Sequence, residues 1–165
     1  MYGIQDIKPI MNCASCASCA SCANNLNQNV NNTNQNKTLN PEIVANQFLI
    51  EYYRGVSNIG WNTVAYLFDI NCIVCFKEKL FSNFYNFINY FSNENIKRAN
   101  YGFIRSKWFV ISNDIMLINT VGTIQLVSYN NSVTSVFPFS ETFILKIDRN
   151  NVVKGTNHII DIINN

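Results

Sequence analysis

From residue 96 onward the chain stops reading as helix and does not return to it. Five segments, at 96–105, 108–112, 115–129, 133–148 and 152–163, are rich in β-branched and aromatic residues. Asn130-Asn131 and Arg149-Asn150-Asn151 punctuate the last three as turns. The long segments are apolar on both sides. Phe137, Phe139, Phe143 and Leu145 share one face of their strand, while Val136 and Ile144 fall on the other. A sheet of such strands needs two covers, because large exposed apolar patches are rare on monomers. The chain's own helices can supply one, and a second copy of the chain supplies the other economically.

The helices precede the strands. Asn40-Pro41-Glu42 has an N-cap residue, a proline suited to the first helical position, and an acid suited to the positive end of the helix dipole. Ala45, Leu49, Tyr52 and Val56 follow at helical spacing, with Phe48 beside the stripe, until Gly55 and Gly60 punctuate the end. A second short helix is predicted at 62–68 and a strand at 70–77. Ser82 can cap a third helix carrying Phe84, Phe87, Ile88 and Phe91. Three helices followed by antiparallel strands give an α+β order.

Residues 1–40 have a different character, and the predicted organisation is a tail at 1–40 followed by a domain at 41–165. Cys-Ala-Ser repeats at 13–23, then an Asn/Gln-rich stretch runs to residue 40. With almost no bulky apolar side chains, the segment cannot bury enough surface to offset its ordering entropy, so disorder is expected. No basic region followed by an apolar one reads as a signal peptide. No apolar run approaches the ~20 residues of a membrane span. The reading is an intracellular protein, in the cytoplasm, the nucleus or both, with reduced cysteines.

The chain has 165 residues, 13 % of them charged, and a net charge of +2, so no strongly charged partner is implied. Lys97, Arg98, Arg105 and Lys107 are the densest basic group. They read as solvated charges on a strand edge rather than a nucleic-acid surface. Cys13, Cys16, Cys19 and Cys22 have a spacing at which thiolates can hold zinc or an iron–sulfur cluster. Every intervening pair is Ala-Ser, however, which is what duplication of a short repeat produces, and no cofactor is expected.

Several segments together resemble nuclear transport factor 2. They are Gln47-Phe48-Leu49-Ile50-Glu51-Tyr52-Tyr53, Leu67-Phe68-Asp69 followed by Cys72, Val121-Gly122-Thr123-Ile124, Phe139-Ser140-Glu141-Thr142-Phe143-Ile144-Leu145, and Asn157-His158-Ile159-Ile160. They keep that family's order and spacing over about three quarters of the chain. The resemblance implies a cone-shaped, bent antiparallel sheet wrapped around three helices, with homodimers formed through the outer sheet face. It implies a non-catalytic module that docks phenylalanine-repeat nucleoporins or other short linear motifs in nucleocytoplasmic transport. Cys75 and Phe76 stand where the family has a Trp-Glu pair used in docking, and Phe137 and Phe139 complete the implied partner-binding set. The segment Ser128-Tyr129-Asn130-Asn131-Ser132 lacks the acids the family uses against the GTPase Ran, so Ran-GDP binding of that type is not implied.

The wider superfamily includes isomerases and dehydratases that work inside the cone, the alternative reading. Such chemistry needs an acid or base in an apolar cavity, and the candidates are Tyr66, Asp69, Tyr101 and Glu141. Glu141 shares a face with Phe139 and Phe143, which would bury its carboxylate. His158 faces with Thr156 and Ile160, away from Asp161, so a His–Asp dyad is not expected; Cys72 and Cys75 face opposite sides. A scaffold tethered by its Cys-rich tail is the remaining alternative.

Overall fold

The computed structural model describes residues 3–6 and 39–163. The first helix, α1 (Pro41–Asn58), starts as its cap predicts: Asn40 Oδ1 accepts from the Glu42 amide at 3.0 Å, and Pro41 opens the first turn. Val44, Ala45, Phe48, Leu49, Tyr52, Tyr53 and Val56 form its buried face. The expected second helix is a 3₁₀ helix, Trp61–Leu67. Gly60 before it has φ 136°, and a Cβ there would come within 2.5 Å of the Lys97 carbonyl oxygen. Only glycine fits both that conformation and that approach. The next helix, α2 (Phe84–Asn93), is capped by Asn83 rather than Ser82: Asn83 Oδ1 accepts from the Asn86 amide at 2.8 Å. The Ser82 hydroxyl instead accepts from the Asn86 side chain.

Among the described residues seven strands form one sheet: β1 (Gly3–Asp6), β2 (Phe68–Phe76), β3 (Lys79–Phe81), β4 (Ile96–Val110), β5 (Ile115–Ser128), β6 (Phe137–Ile147) and β7 (Val153–Ile162). Their spatial order is β1-β4-β5-β6-β7-β2-β3. The fold is α+β, with an open, curled, mostly antiparallel sheet wrapped on its helices. The pairing of β2 with β7 is parallel, a departure from the all-antiparallel expectation. The segments expected as two strands at 96–105 and 108–112 are one strand, β4, interrupted by an irregularity between Gly102 and Arg105. Phe103 there has φ 51°, the signature of a local bulge that bends a strand without ending it. β6 starts at Phe137, so Val136 lies outside it, 60 % exposed, and Val133 makes only an isolated bridge to Val127. The short β3 was not anticipated; it folds back on β2 through Lys77, which adopts φ 54°.

Within the segment expected to be disordered, Gly3–Asp6 pairs with Arg105–Trp108 of β4. An exposed strand edge offers backbone groups that can template such pairing whatever the side chains. The rest of that segment up to residue 38, including Cys13, Cys16, Cys19 and Cys22, lies outside the described residues. No helix among the described residues is long and apolar enough to cross a membrane.

The core lies between the sheet's concave face and the helices. Phe68 stacks on Phe84 at 4.0 Å, Trp61 on Phe91 at 4.5 Å, and Phe143 on His158 at 4.4 Å.

Candidate functional site

The interior of the cone holds a polar cluster to which α1, β4, β5, β6 and β7 each contribute. Consecutive tyrosines on α1 supply two phenols, and both rings are buried. Glu141 on β6 is 1 % exposed, and Thr120 on β5, its cross-strand partner, is equally buried. Tyr52 donates to Glu141 Oε1 at 3.3 Å and Tyr101, on β4, donates to the same oxygen at 3.3 Å. Tyr53 donates to Oε2 at 2.7 Å and lies 2.6 Å from the Thr120 hydroxyl. His158 on β7 is fully buried, with Nε2 3.6 Å from Glu141 Oε1, just beyond hydrogen-bond length.

A single irregularity in the sheet creates the Glu141–His158 neighbourhood. Near the turn, Leu145 pairs with Gly155; one step further, Ile144 pairs with Asn157. β7 therefore carries one extra residue, Thr156, at that point. Beyond it Phe143 lies opposite His158, and Glu141 lies opposite Ile160. Because side chains alternate with a period of two, the extra residue turns His158 onto the interior face. His158 does face with Ile160, as expected, but Thr156 is the bulge itself and does not share that pattern. Gly155 makes room for the bend: a Cβ there would come within 2.7 Å of the Phe68 ring.

Burial, and then the Glu141 charge, push the phenols of Tyr52, Tyr53 and Tyr101 well above the ordinary tyrosine range. They therefore serve as neutral donors. Glu141 accepts from three of them, which takes up most of a carboxylate's roughly four acceptor positions. A general base needs a lone pair aimed at substrate, and here protein groups occupy those positions. What the arrangement does directly is fasten α1 and β4 to the middle of the sheet.

The other sequence-derived candidates lie elsewhere. Tyr66 is 57 % exposed and donates to Glu51 at 2.9 Å, and Asp69 is exposed and accepts from the Asn71 amide at 2.8 Å. Of the four acid–base candidates, the structure thus brings together only Tyr101 and Glu141. Asp161 is exposed on the face opposite His158, so the two form no dyad. Cys72 is buried and Cys75 half-buried on opposite sides of β2, with the Cys75 thiol donating to the Lys77 carbonyl at 3.2 Å. Among the described residues, no group of three or more His, Cys, Asp or Glu side chains could hold a metal.

In the implied docking set, Phe76 (7 % exposed) and Phe139 (2 %) point into the core. Cys75 and Phe137 are half-buried and remain at the periphery. A surface cleft of ≈ 10 Å³, room for about one water, lies between Trp61, Ile88, Phe91, Ile96, Lys97 and Tyr129, at the start of the 3₁₀ helix. The members of the interior cluster that sequence reasoning missed are Tyr52, Tyr53 and Thr120 as partners of Glu141, and His158 as its neighbour. The Tyr pair followed helical core spacing and gave no separate signal.

Several solved structures superpose on this architecture. Nuclear transport factor 2 from Cryptosporidium parvum matches with a TM-score of 0.60 at 19 % identity, over 76 % of this chain and 98 % of its own. The chain has the nuclear transport factor 2-like fold. The yeast UBP3-associated protein BRE5 matches with a TM-score of 0.58 at 18 % identity, over 77 % of this chain and 99 % of its own. A ketosteroid isomerase-like protein from Erwinia carotovora atroseptica matches with a TM-score of 0.55 at 10 % identity, over 76 % of this chain and 95 % of its own. No family model matches the chain, and no curated protein does. The fold is thus shared with a transport factor and with an isomerase-like protein, and fold alone does not choose between them.

Proposed function

We propose that the chain is a non-catalytic docking module of the nuclear transport factor 2 type. The observation that carries this reading is the closed interior. Glu141, His158, Tyr52 and Tyr53 are each at most 2 % exposed, and Glu141 is engaged by protein donors rather than presented to a ligand. A small-molecule site instead offers an open concavity with a few convergent polar groups. The module forms a homodimer through the convex face of its sheet, where Ile73, Val121 and Ile159 are 40–51 % exposed and Leu117 and Ile144 are half-buried. It binds extended apolar motifs, phenylalanine repeats foremost, in the nucleus and cytoplasm. Ran-GDP contact of the transport-factor type is not part of the proposal, because the 128–132 segment lacks acids.

The test is a titration of the full chain with immobilised phenylalanine-repeat peptides, alongside sedimentation equilibrium. Saturable binding by a dimer supports the reading; a monomer that binds none of them overturns it.

The second reading, an isomerase or dehydratase, is favoured by one observation: a carboxylate, an imidazole and three phenols converge inside the cone. It requires the interior to open and one acceptor position of Glu141 to be released. Turnover of a cyclic ketone or a hydroxylated ring by the full chain, lost in Glu141→Gln, would support it.

A further inference from the structure

β4 lies next to the end of the sheet, and its outward edge is covered in two different ways. Near Lys97 and Arg98 the junction after α1 packs against it. Gly60 lies against the Lys97 carbonyl, and Arg98 Nη1 donates to the Ser57 carbonyl at 3.0 Å. Beyond the bulge at Phe103, the only cover among the described residues is β1, paired over Arg105–Trp108. That cover is four residues long and is joined to α1 only through residues 7–40. A strand of that length adds few backbone hydrogen bonds.

The bulge itself marks the boundary. Phe103 holds a left-handed backbone conformation, φ 51°, that a bulky residue rarely adopts, and it is 80 % exposed. Backbone strain at an exposed aromatic is the kind of outlier that accompanies binding surfaces. Immediately after it, Ser106 and Trp108 turn inward and are buried, whereas Arg105 and Lys107 are exposed on the convex face. Two cations therefore stand at alternate positions along the edge. The register sets Asp6 opposite Arg105 and Ile4 opposite Lys107, so the chain's own strand carries an acid opposite one cation and an apolar residue opposite the other. A strand with acids at both positions complements the edge better, because directly opposed unlike charges stabilise an antiparallel pair.

We propose that the Arg105–Trp108 edge of β4 is a strand-addition site for an extended acidic segment of another protein, and that Gly3–Asp6 is a resident strand which the partner displaces. Main-chain pairing supplies the affinity, and the alternate cations supply the preference for acids. The site does not depend on the phenylalanine-repeat docking of the preceding section, although Arg105 stands opposite Val121 on the convex face proposed for the dimer.

The test uses the full chain and a labelled decapeptide with the sequence of residues 1–10 carrying Ile4→Asp, followed by fluorescence anisotropy. Ile4→Pro/Gln5→Pro unseats the resident strand by removing two of its backbone donors. This variant is expected to bind the probe about tenfold more tightly than the unaltered chain, and its amides at 105–108 to exchange faster until the probe protects them. Adding Arg105→Glu/Lys107→Glu is expected to weaken the acidic probe about fivefold and to favour a probe carrying Ile4→Lys and Asp6→Lys. That reversal shows that the doubly charge-altered chain is folded. Equal affinity for the unaltered and unseated chains, indifference to charge at 105 and 107, or no binding to either chain would each overturn the proposal. Loss of phenylalanine-repeat binding would leave it standing.

Discussion

The two faces of β6 differ sharply although they belong to one strand. Phe139, Glu141, Phe143 and Leu145 point inward and are at most 2 % exposed. Ser140, Thr142 and Ile144 alternate with them, point outward and remain half-buried, with Lys146 exposed. On β5 and β7 the same convex face interleaves Val121 and Ile159 with Asn119 and Asn157, and Thr142 donates to Asn119 at 2.8 Å. The inner face has matched every polar hydrogen of its tyrosines to one carboxylate. The outer face leaves apolar groups in water among polar ones. Stability is therefore concentrated inside, and association is left to the outside.

The strongest way to break this contrast is Glu141→Ala. It takes the carboxylate acceptor from all three phenols and leaves Tyr53 only the Thr120 hydroxyl, and about 3 kcal/mol of unfolding free energy should be lost in urea titration. A loss below about 1 kcal/mol would mean that the cluster does not hold α1 to the sheet. Next is Gly155→Ala, whose methyl meets the Phe68 ring and disturbs the bulge that aims His158 inward. A cost of about 1–3 kcal/mol is expected by the same measurement.

Alkaline titration sharpens the comparison without mutation. In the unfolded chain the phenols of Tyr52, Tyr53 and Tyr101 release their protons near the ordinary tyrosine value, ~10. In the folded protein burial and the Glu141 charge raise all three well above it. Their contribution is then complete below pH ~10 and is lost as the pH climbs from there through the raised folded values. Tyrosinate absorbance should show three of the eight tyrosines resisting ionisation until the protein unfolds. The smallest effect on folding is expected from Val121→Lys on the convex face, within about 0.5 kcal/mol. The same change should dissociate the proposed dimer in sedimentation equilibrium, and an unchanged association state would remove this face from consideration.

Much of the fold was legible because it rests on local chemistry. Asn40-Pro41-Glu42 opened α1 as a cap should, and the stripe from Ala45 to Val56 became its buried face. The site was only half legible. Glu141 could be placed among Phe139 and Phe143 from strand alternation alone. Its tyrosine partners could not, because they come from α1 and β4, whose positions over the sheet no local pattern encodes. His158 needed the Thr156 bulge, and a one-residue register change leaves no periodic trace in so short a strand. The resident strand at Gly3–Asp6 was hidden for a similar reason, since main-chain pairing along an edge asks little of side-chain composition.

By itself the sequence determined which residues are greasy, where helices begin, and that long strands follow helices. Those are consequences of side-chain solvation and backbone propensity acting within a few residues. The tertiary structure decided that β2 runs parallel to β7, that four aromatic and imidazole side chains surround one carboxylate, and that a four-residue strand closes the edge of β4. Each of these depends on register or on contacts between distant segments, where a single inserted residue reverses the face that a side chain presents.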